Sequence, residues 1–314
     1  NNPEKITVVQ MAPAVRVAIA EEFGLPPGID STKKIVAALK KIGVDYVYDT
    51  NFTADMTIVE EATELVHRLQ NGGTFPMFTS CCPAWIKYAE TYYPSLLNNI
   101  SSCRSPQGMF GAVVRKAMPG LTGKDNKDIV SISIMPCTAK KFEARREQFI
   151  HDGKAEIDHV LTTQELAEML KSAGINLIEM DNVDLDMPLG MYTGAGVIFG
   201  VTGGVMEAVL RFAAEKVGGI KDAIEFKNVR GEEGIREAEV ELNGRTFRLA
   251  VVHGLANAGK VAQEVIDGAC KYDLIEVMAC PMGCVGGAGQ PVSEGLVKKK
   301  LRAQGLYKAD ETCA

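Results

Sequence analysis

Apolar residues along the chain follow two alternating rhythms. Short runs rich in branched and aromatic side chains, Ile6–Met11, Tyr46–Tyr48, Phe75–Phe78 and Ile129–Met135, are each followed by a stretch with apolar residues every three or four positions: Pro13–Phe23, Met56–Gln70, Pro83–Tyr92 and Thr138–Glu147. The first pattern predicts strands, the second helices. Their alternation predicts parallel α/β units. The second half continues less regularly, with a strand at His159–Leu161, helices at Gln164–Ser172 and Gly203–Val217, a hairpin across Glu239–Val252 turning at Asn243-Gly244, a helix at Ala256–Asp267 and a strand at Leu274–Met278. The expected architecture is α/β, two lobes with mostly parallel sheets flanked by helices. The polar stretch Gly120–Asp128 is the candidate boundary, giving lobe 1 at about 1–125 and lobe 2 at about 126–314.

Composition narrows the classes. A chain of 314 residues, 46% hydrophobic and 24% charged, buries a large core. A net charge of -6, a pI near 5.4 and the lack of any Lys/Arg-rich block argue against nucleic acid as a partner. No apolar run reaches the roughly 18 residues of a membrane span, and Asn1-Asn2-Pro3-Glu4-Lys5 lacks a signal-peptide pattern, so a cytoplasmic location is expected. Eight cysteines are too few for a disulfide scaffold at this length, which fits a reducing compartment.

Five of those cysteines fall at predicted strand ends. Phe78-Thr79-Ser80-Cys81-Cys82-Pro83, Ile134-Met135-Pro136-Cys137-Thr138 and Val277-Met278-Ala279-Cys280-Pro281-Met282-Gly283-Cys284 occupy the carboxyl edge where open α/β sheets bind ligands. Four thiolates hold a cubane iron-sulfur cluster, and the Cys280/Cys284 pair plus two distant cysteines can supply them. Zinc is the rival, although structural zinc usually takes two close pairs. Side chains of the adjacent Cys81 and Cys82 point different ways, so one reaches the cluster and the other is a spare thiol. Cys103, Cys270 and Cys313 read as small apolar residues.

At the level of whole motifs, Thr79-Ser80-Cys81-Cys82-Pro83-Ala84-Trp85, Met135-Pro136-Cys137-Thr138-Ala139-Lys140-Lys141-Phe142-Glu143 and Met278-Ala279-Cys280-Pro281-Met282-Gly283-Cys284-Val285-Gly286-Gly287 resemble the three signatures of iron-iron hydrogenases, in order and separation. The similarity runs from Met11-Ala12-Pro13-Ala14-Val15 to Gly289-Gln290-Pro291. It implies an H-cluster in the cleft between the lobes. This is a 4Fe-4S cubane on Cys82, Cys137, Cys280 and Cys284, with Cys284 bridging to a di-iron subcluster carrying CO, CN and a dithiolate amine. The resemblance makes Cys81 the proton donor and sets Lys140 against a cyanide; Lys141 is expected to face solvent. Glu61, Glu64 and Arg68 share one helical stripe, which by itself reads as a solvated salt-bridged face. The resemblance recasts it as a proton path, with Ser101 relaying between Glu61 and Glu64. Pro13, Gln107, Met135, Pro136, Phe199 and Met278 become pocket wall, and the four histidines receive no chemistry.

The implied activity is reversible reduction of protons to H2. Implied partners are an external electron carrier such as ferredoxin and maturation proteins delivering the di-iron unit; with no N-terminal ferredoxin-like domain present, the expectation is either a trimmed piece of a longer protein or a small second chain that supplies the missing parts. A hydrogen-sensing or iron-sulfur assembly relative without significant turnover is the alternative. Two positions depart from the pattern: the usual Cys-Pro-Gly-Gly-Cys has Met282, expected to add bulk beside the cluster, and Ala288 replaces a following glycine.

Overall fold

A computed structural model describes residues 4–218, 233–242 and 245–312. Its strands, in chain order, are β1 (Ile6–Met11), β2 (Tyr46–Asp49), β3 (Met77–Phe78), β4 (Ile129–Met135), β5 (Ile150–His151), β6 (Lys154–Ala155), β7 (His159–Thr162), β8 (Ile235–Leu242), β9 (Arg245–His253) and β10 (Leu274–Met278). The helices are α1 (Pro13–Arg16), α2 (Thr32–Lys41), α3 (Thr50–Asn71), α4 (Pro83–Tyr92), α5 (Pro106–Thr122), α6 (Ala139–Glu143), α7 (Thr163–Ser172), α8 (Gly194–Val197), α9 (Gly204–Gly218), α10 (Leu255–Ile266) and α11 (Val297–Thr312).

Two four-stranded sheets organise the chain, ordered β2-β1-β4-β7 and β3-β10-β9-β8. Every pairing in them is parallel except β8 with β9. Consecutive strand residues enter different cores: Val9 and Met11 pack on one face of the first sheet, Val8 on the other. In the second sheet Leu249 and Val251 face one core, Ala250 and Val252 another. Both sheets are therefore covered on both faces, as parallel sheets require, and their strands read as continuous apolar runs.

The expected division near Gly120–Asp128 does not separate the sheets. β4 and β7 join β1 and β2, while β3 joins β10. Parallel neighbours need long crossovers, so the chain leaves the first sheet, adds a strand to the second and returns. Pro13–Phe23 is not one helix either. The carbonyls of Arg16 and Val17 accept from Ser31 and Gly28, and a 3-10 turn at Ile19–Phe23 follows α1. The Thr138–Glu147 helix shortens to α6, while α2, α5 and α11 had escaped the periodicity reading. The hairpin strands pair as expected, but its turn at 243–244 and Cys313 lie outside the described residues.

Three buried ionisable side chains, Arg16, Asp49 and Glu276, set the walls of the site. Arg16 and Asp49 form an ion pair of 2.5 Å with side chains 1% and 0% exposed, tying α1 to the start of α3. Asp49 also caps α3 by accepting from the Asn51 N–H. Glu276, fully buried on β10, accepts the N–H groups of Gly203 at 2.6 Å and Met206 at 2.7 Å. It thereby fixes the start of α9 and the Phe199–Gly200 segment before it. Burial raises its carboxyl to about 7, against those hydrogen bonds.

Candidate active site

The carboxyl ends of both sheets meet at one cavity of about 80 Å³. From the first sheet come Ala12 and Pro13 after β1 and Met135, Pro136 and Cys137 after β4; from the second come Cys81 and Cys82 after β3 and Met278, Ala279 and Cys280 after β10. Cys284, Lys140, Gln107 and Phe199 complete the residues the sequence singled out here, all on the same wall. Among the described residues no three Cys, His, Asp or Glu side chains converge tightly enough for a single metal ion. Cys82, Cys137, Cys280 and Cys284 line this one cavity, and four is the number of thiolates that a cubane iron-sulfur cluster takes.

Backbone donors are aimed at these sulfurs. The Ala279 N–H lies 3.4 Å from Cys82 Sγ. The N–H groups of Ala139 and Lys140, in the first turn of α6, face Cys137, and that of Ala288 faces Cys280. Burial raises the thiols of Cys137, Cys280 and Cys284, and mutual repulsion adds to this; Cys82 and Cys137 act on both Cys280 and Cys284. Burial thus favours the protonated thiols, and any metal ligation there would release those protons.

Two glycines permit the closure. Gly283 has φ +81°, and a Cβ there would stand 2.6 Å from the Thr202 nitrogen; at Gly287 a Cβ would meet the Pro136 carbonyl oxygen at 2.2 Å. Replacing Gly287 by alanine is expected to cost about 1–3 kcal/mol through overpacking. A lower melting temperature together with weaker iron retention would register it. Met282 is a correction to the sequence reading. Its φ of 64° is left-handed, yet its side chain is buried among Ala14, Val17, Ile198, Val285 and Leu306, not on the cavity wall. Burial of that side chain offsets the about 1–2 kcal/mol cost of the conformation.

Leading away from Cys81 is a line of polar groups. Cys81 is 8% exposed, and burial, reinforced by Glu61, pushes its thiol well above the ordinary range. Glu61 is fully buried, not on a solvated face; its Oε1 accepts the Ser80 N–H at 3.2 Å, and its Oε2 has no partner among the described residues. Burial raises its carboxyl to about 8, against the Ser80 hydrogen bond. One turn on, burial alone would also raise Glu64, but hydrogen bonds from Ser101 and Arg68 hold it below the usual value. The Ser101 hydroxyl donates to Glu64 Oε2 at 2.9 Å and Arg68 Nη2 to Oε1 at 2.6 Å. Arg68 also donates to the carbonyls of Thr74, Asn98, Asn99 and Ile100, and with Ser101 it borders a second, solvent-open pocket.

Sequence reasoning missed Glu143. It is 7% exposed and binds Lys140 at 2.9 Å, while Lys141 pairs with Glu165 at 2.6 Å at the surface. The i,i+3 spacing of Lys140 and Glu143 was the available signal. Cys103 adjoins the polar line, its N–H donating to Ser101 Oγ at 3.1 Å, and Cys270 packs against a core cluster.

Residues 5–288 match the model of a family described as iron only hydrogenase large subunit, C-terminal domain. The chain is 49% identical over 317 residues to iron hydrogenase 1 of Clostridium pasteurianum, covering 99% of itself and 55% of that protein. It is 48% identical to the periplasmic Fe hydrogenase large subunit of Nitratidesulfovibrio vulgaris, covering 94% of itself and 71% of the relative. The chain thus spans only about half the length of the first of these relatives. A variant of an FeFe hydrogenase from Chlamydomonas reinhardtii superposes with a TM-score of 0.87 at 42% identity, over 99% of this chain and 86% of that one. Protein NAR1 of Arabidopsis thaliana is 32% identical, covering 91% of this chain and 65% of its own length.

Proposed function

The chain belongs to the iron only hydrogenase family, and on that premise we propose that it interconverts protons and H2. The observation that carries the reading is the enclosure of four thiols, a spare thiol and a buried lysine by a single cavity. Cys82, Cys137, Cys280 and Cys284 would hold a 4Fe-4S cluster, with Cys284 also meeting a di-iron unit; this group supplies electron storage and hydrogen binding when present.

The protein's own task is to hold that group, exclude water and move protons. Cys81, buried and protonated, is the proton donor at the cavity. Glu61 hands protons to it: its carboxyl, raised to about 8, exchanges them near neutral pH, and its unpartnered Oε2 is free to do so. Ser101, whose hydroxyl donates to Glu64, would relay between Glu61 and Glu64, and Arg68 holds Glu64 ionised at the mouth of the solvent-open pocket. The ammonium of Lys140, 9% exposed, offers a fixed positive charge to an anionic ligand such as cyanide.

Electrons would enter from an external carrier such as ferredoxin, and maturation proteins would deliver the di-iron unit. The seven free cysteines among the described residues support a reducing compartment, and no helix among them is long and apolar enough to cross a membrane. The 33% identity to a cytosolic Fe-S cluster assembly factor of Xenopus tropicalis favours a second reading, scaffold without turnover.

One experiment separates the two. Matured protein is expected to show carbonyl and cyanide infrared bands, about six irons per chain, and hydrogen evolution from a reduced dye. Bands without turnover would remove the enzymatic reading, and about four irons without bands would leave only a cubane protein.

A further inference from the structure

Glu143 lies at the end of α6 and borders the outer, solvent-open pocket rather than the cluster cavity. Its Oε2 nevertheless gathers three donors: Lys140 Nζ at 2.9 Å, Gln107 Nε2 at 3.0 Å and Ser105 Oγ at 3.0 Å. Two of these, Lys140 and Gln107, stand on the cavity wall. Gln107 Nε2 donates again to the Lys140 carbonyl at 3.1 Å, so its amide is held nitrogen-first toward Glu143. Reversing the amide would set its oxygen against a carboxylate. The consequence is that Gln107 Oε1 is buried without a partner among the described residues.

Lys140 is subject to the same anchor. Its ammonium reaches only the Glu143 carboxylate and the Cys81 carbonyl oxygen, the latter at 3.2 Å, among the described residues. A buried cation in this setting needs a nearby anion whether or not the cavity is filled.

We infer that Glu143 is a positioning residue that locks the Lys140 ammonium and the Gln107 amide oxygen at the cavity wall, presenting one fixed cation and one fixed acceptor to the group held there. The identity of that group rests on the hydrogenase reading. The locking does not. Glu143 touches none of the reacting atoms and acts through its two neighbours.

The test compares Glu143→Gln, Lys140→Met and their double variant in the full chain, before and after loading with the di-iron unit. Before loading, Glu143→Gln is expected to lower the melting temperature by about 5 °C, because it strands a buried ammonium. The double variant should recover most of that loss. After loading, Glu143→Gln should shift the cyanide stretching bands, and the double variant should shift them no further than Lys140→Met does. Glu143→Asp, which keeps the charge on a shorter arm, should shift them less. Unchanged cyanide bands in Glu143→Gln, or additive melting shifts in the double variant, would overturn the inference. If wild-type protein shows no carbonyl or cyanide bands, the hydrogenase reading falls, and the melting-temperature coupling alone then decides the role of Glu143.

Discussion

Cys81→Ala is expected to lower hydrogen turnover by about 100-fold or more while iron content and infrared bands stay at wild-type levels. The magnitude is that of removing a positioned proton donor, typically 10²–10⁴-fold. The separation of readouts follows from the geometry. Cys82, Cys137, Cys280 and Cys284 remain around the cavity, and Cys81 donates nothing to their backbone cradle. Its side chain packs with Ala54, Ile58 and Phe199, so truncation leaves a gap of only one sulfur and a modest fall in stability. Turnover within about threefold of wild type would show that protons arrive by another route, whereas joint loss of iron and activity would make Cys81 a cluster-holding residue.

Glu61→Gln is expected to match that loss of turnover and, unlike Cys81→Ala, to change how stability depends on pH. Glutamine preserves the shape and still accepts the Ser80 N–H, but it cannot alternately bind and release a proton. The wild-type carboxyl is fully buried and raised from 4.5 to about 8. A raised folded-state pKa means that the protonated form stabilises the fold fully below the unfolded value near 4.5 and that this stability is lost as pH rises through about 8. Wild type should therefore lose a few kcal/mol across that window that the neutral variant keeps. Melting temperatures measured from pH 5 to pH 9 check the sign: the two curves should be close at pH 5 and diverge toward pH 9 in favour of the variant. Parallel curves would mean that Glu61 is not titrating, and unimpaired turnover would remove it from the proton path.

The alternation of strand and helix patterns was legible because local periodicity carries it, and so were the positions of the cysteine segments at strand ends, since one or two residues separate the end of each of those strand runs from a cysteine. Helices α2, α5 and α11 escaped, and Pro13–Phe23 was read as one helix, because the Ser31 and Gly28 N–H groups that interrupt it arrive from the following loop. The departure from glycine at Met282 was visible in the sequence, but not which way its side chain would turn.

Residue types and spacing alone fixed an α/β chain with five cysteines at sheet edges, enough for a four-thiolate site. They left the site unassembled, because periodicity records which face of an element is apolar and nothing about which elements become neighbours. Tertiary structure decided that β3, which ends at Phe78 while β10 begins only at Leu274, delivers Cys81 and Cys82 to the cavity beside Cys137 and Cys280. It also decided that Glu61 is buried while Glu64, on the same stripe, reaches Arg68, a difference set by the packing of α3 against two separate loops, one bearing Ser80 and the other Ser101. Desolvation is a property of surroundings rather than of residue type. That is why two glutamates indistinguishable in the sequence acquire carboxyls shifted in opposite directions.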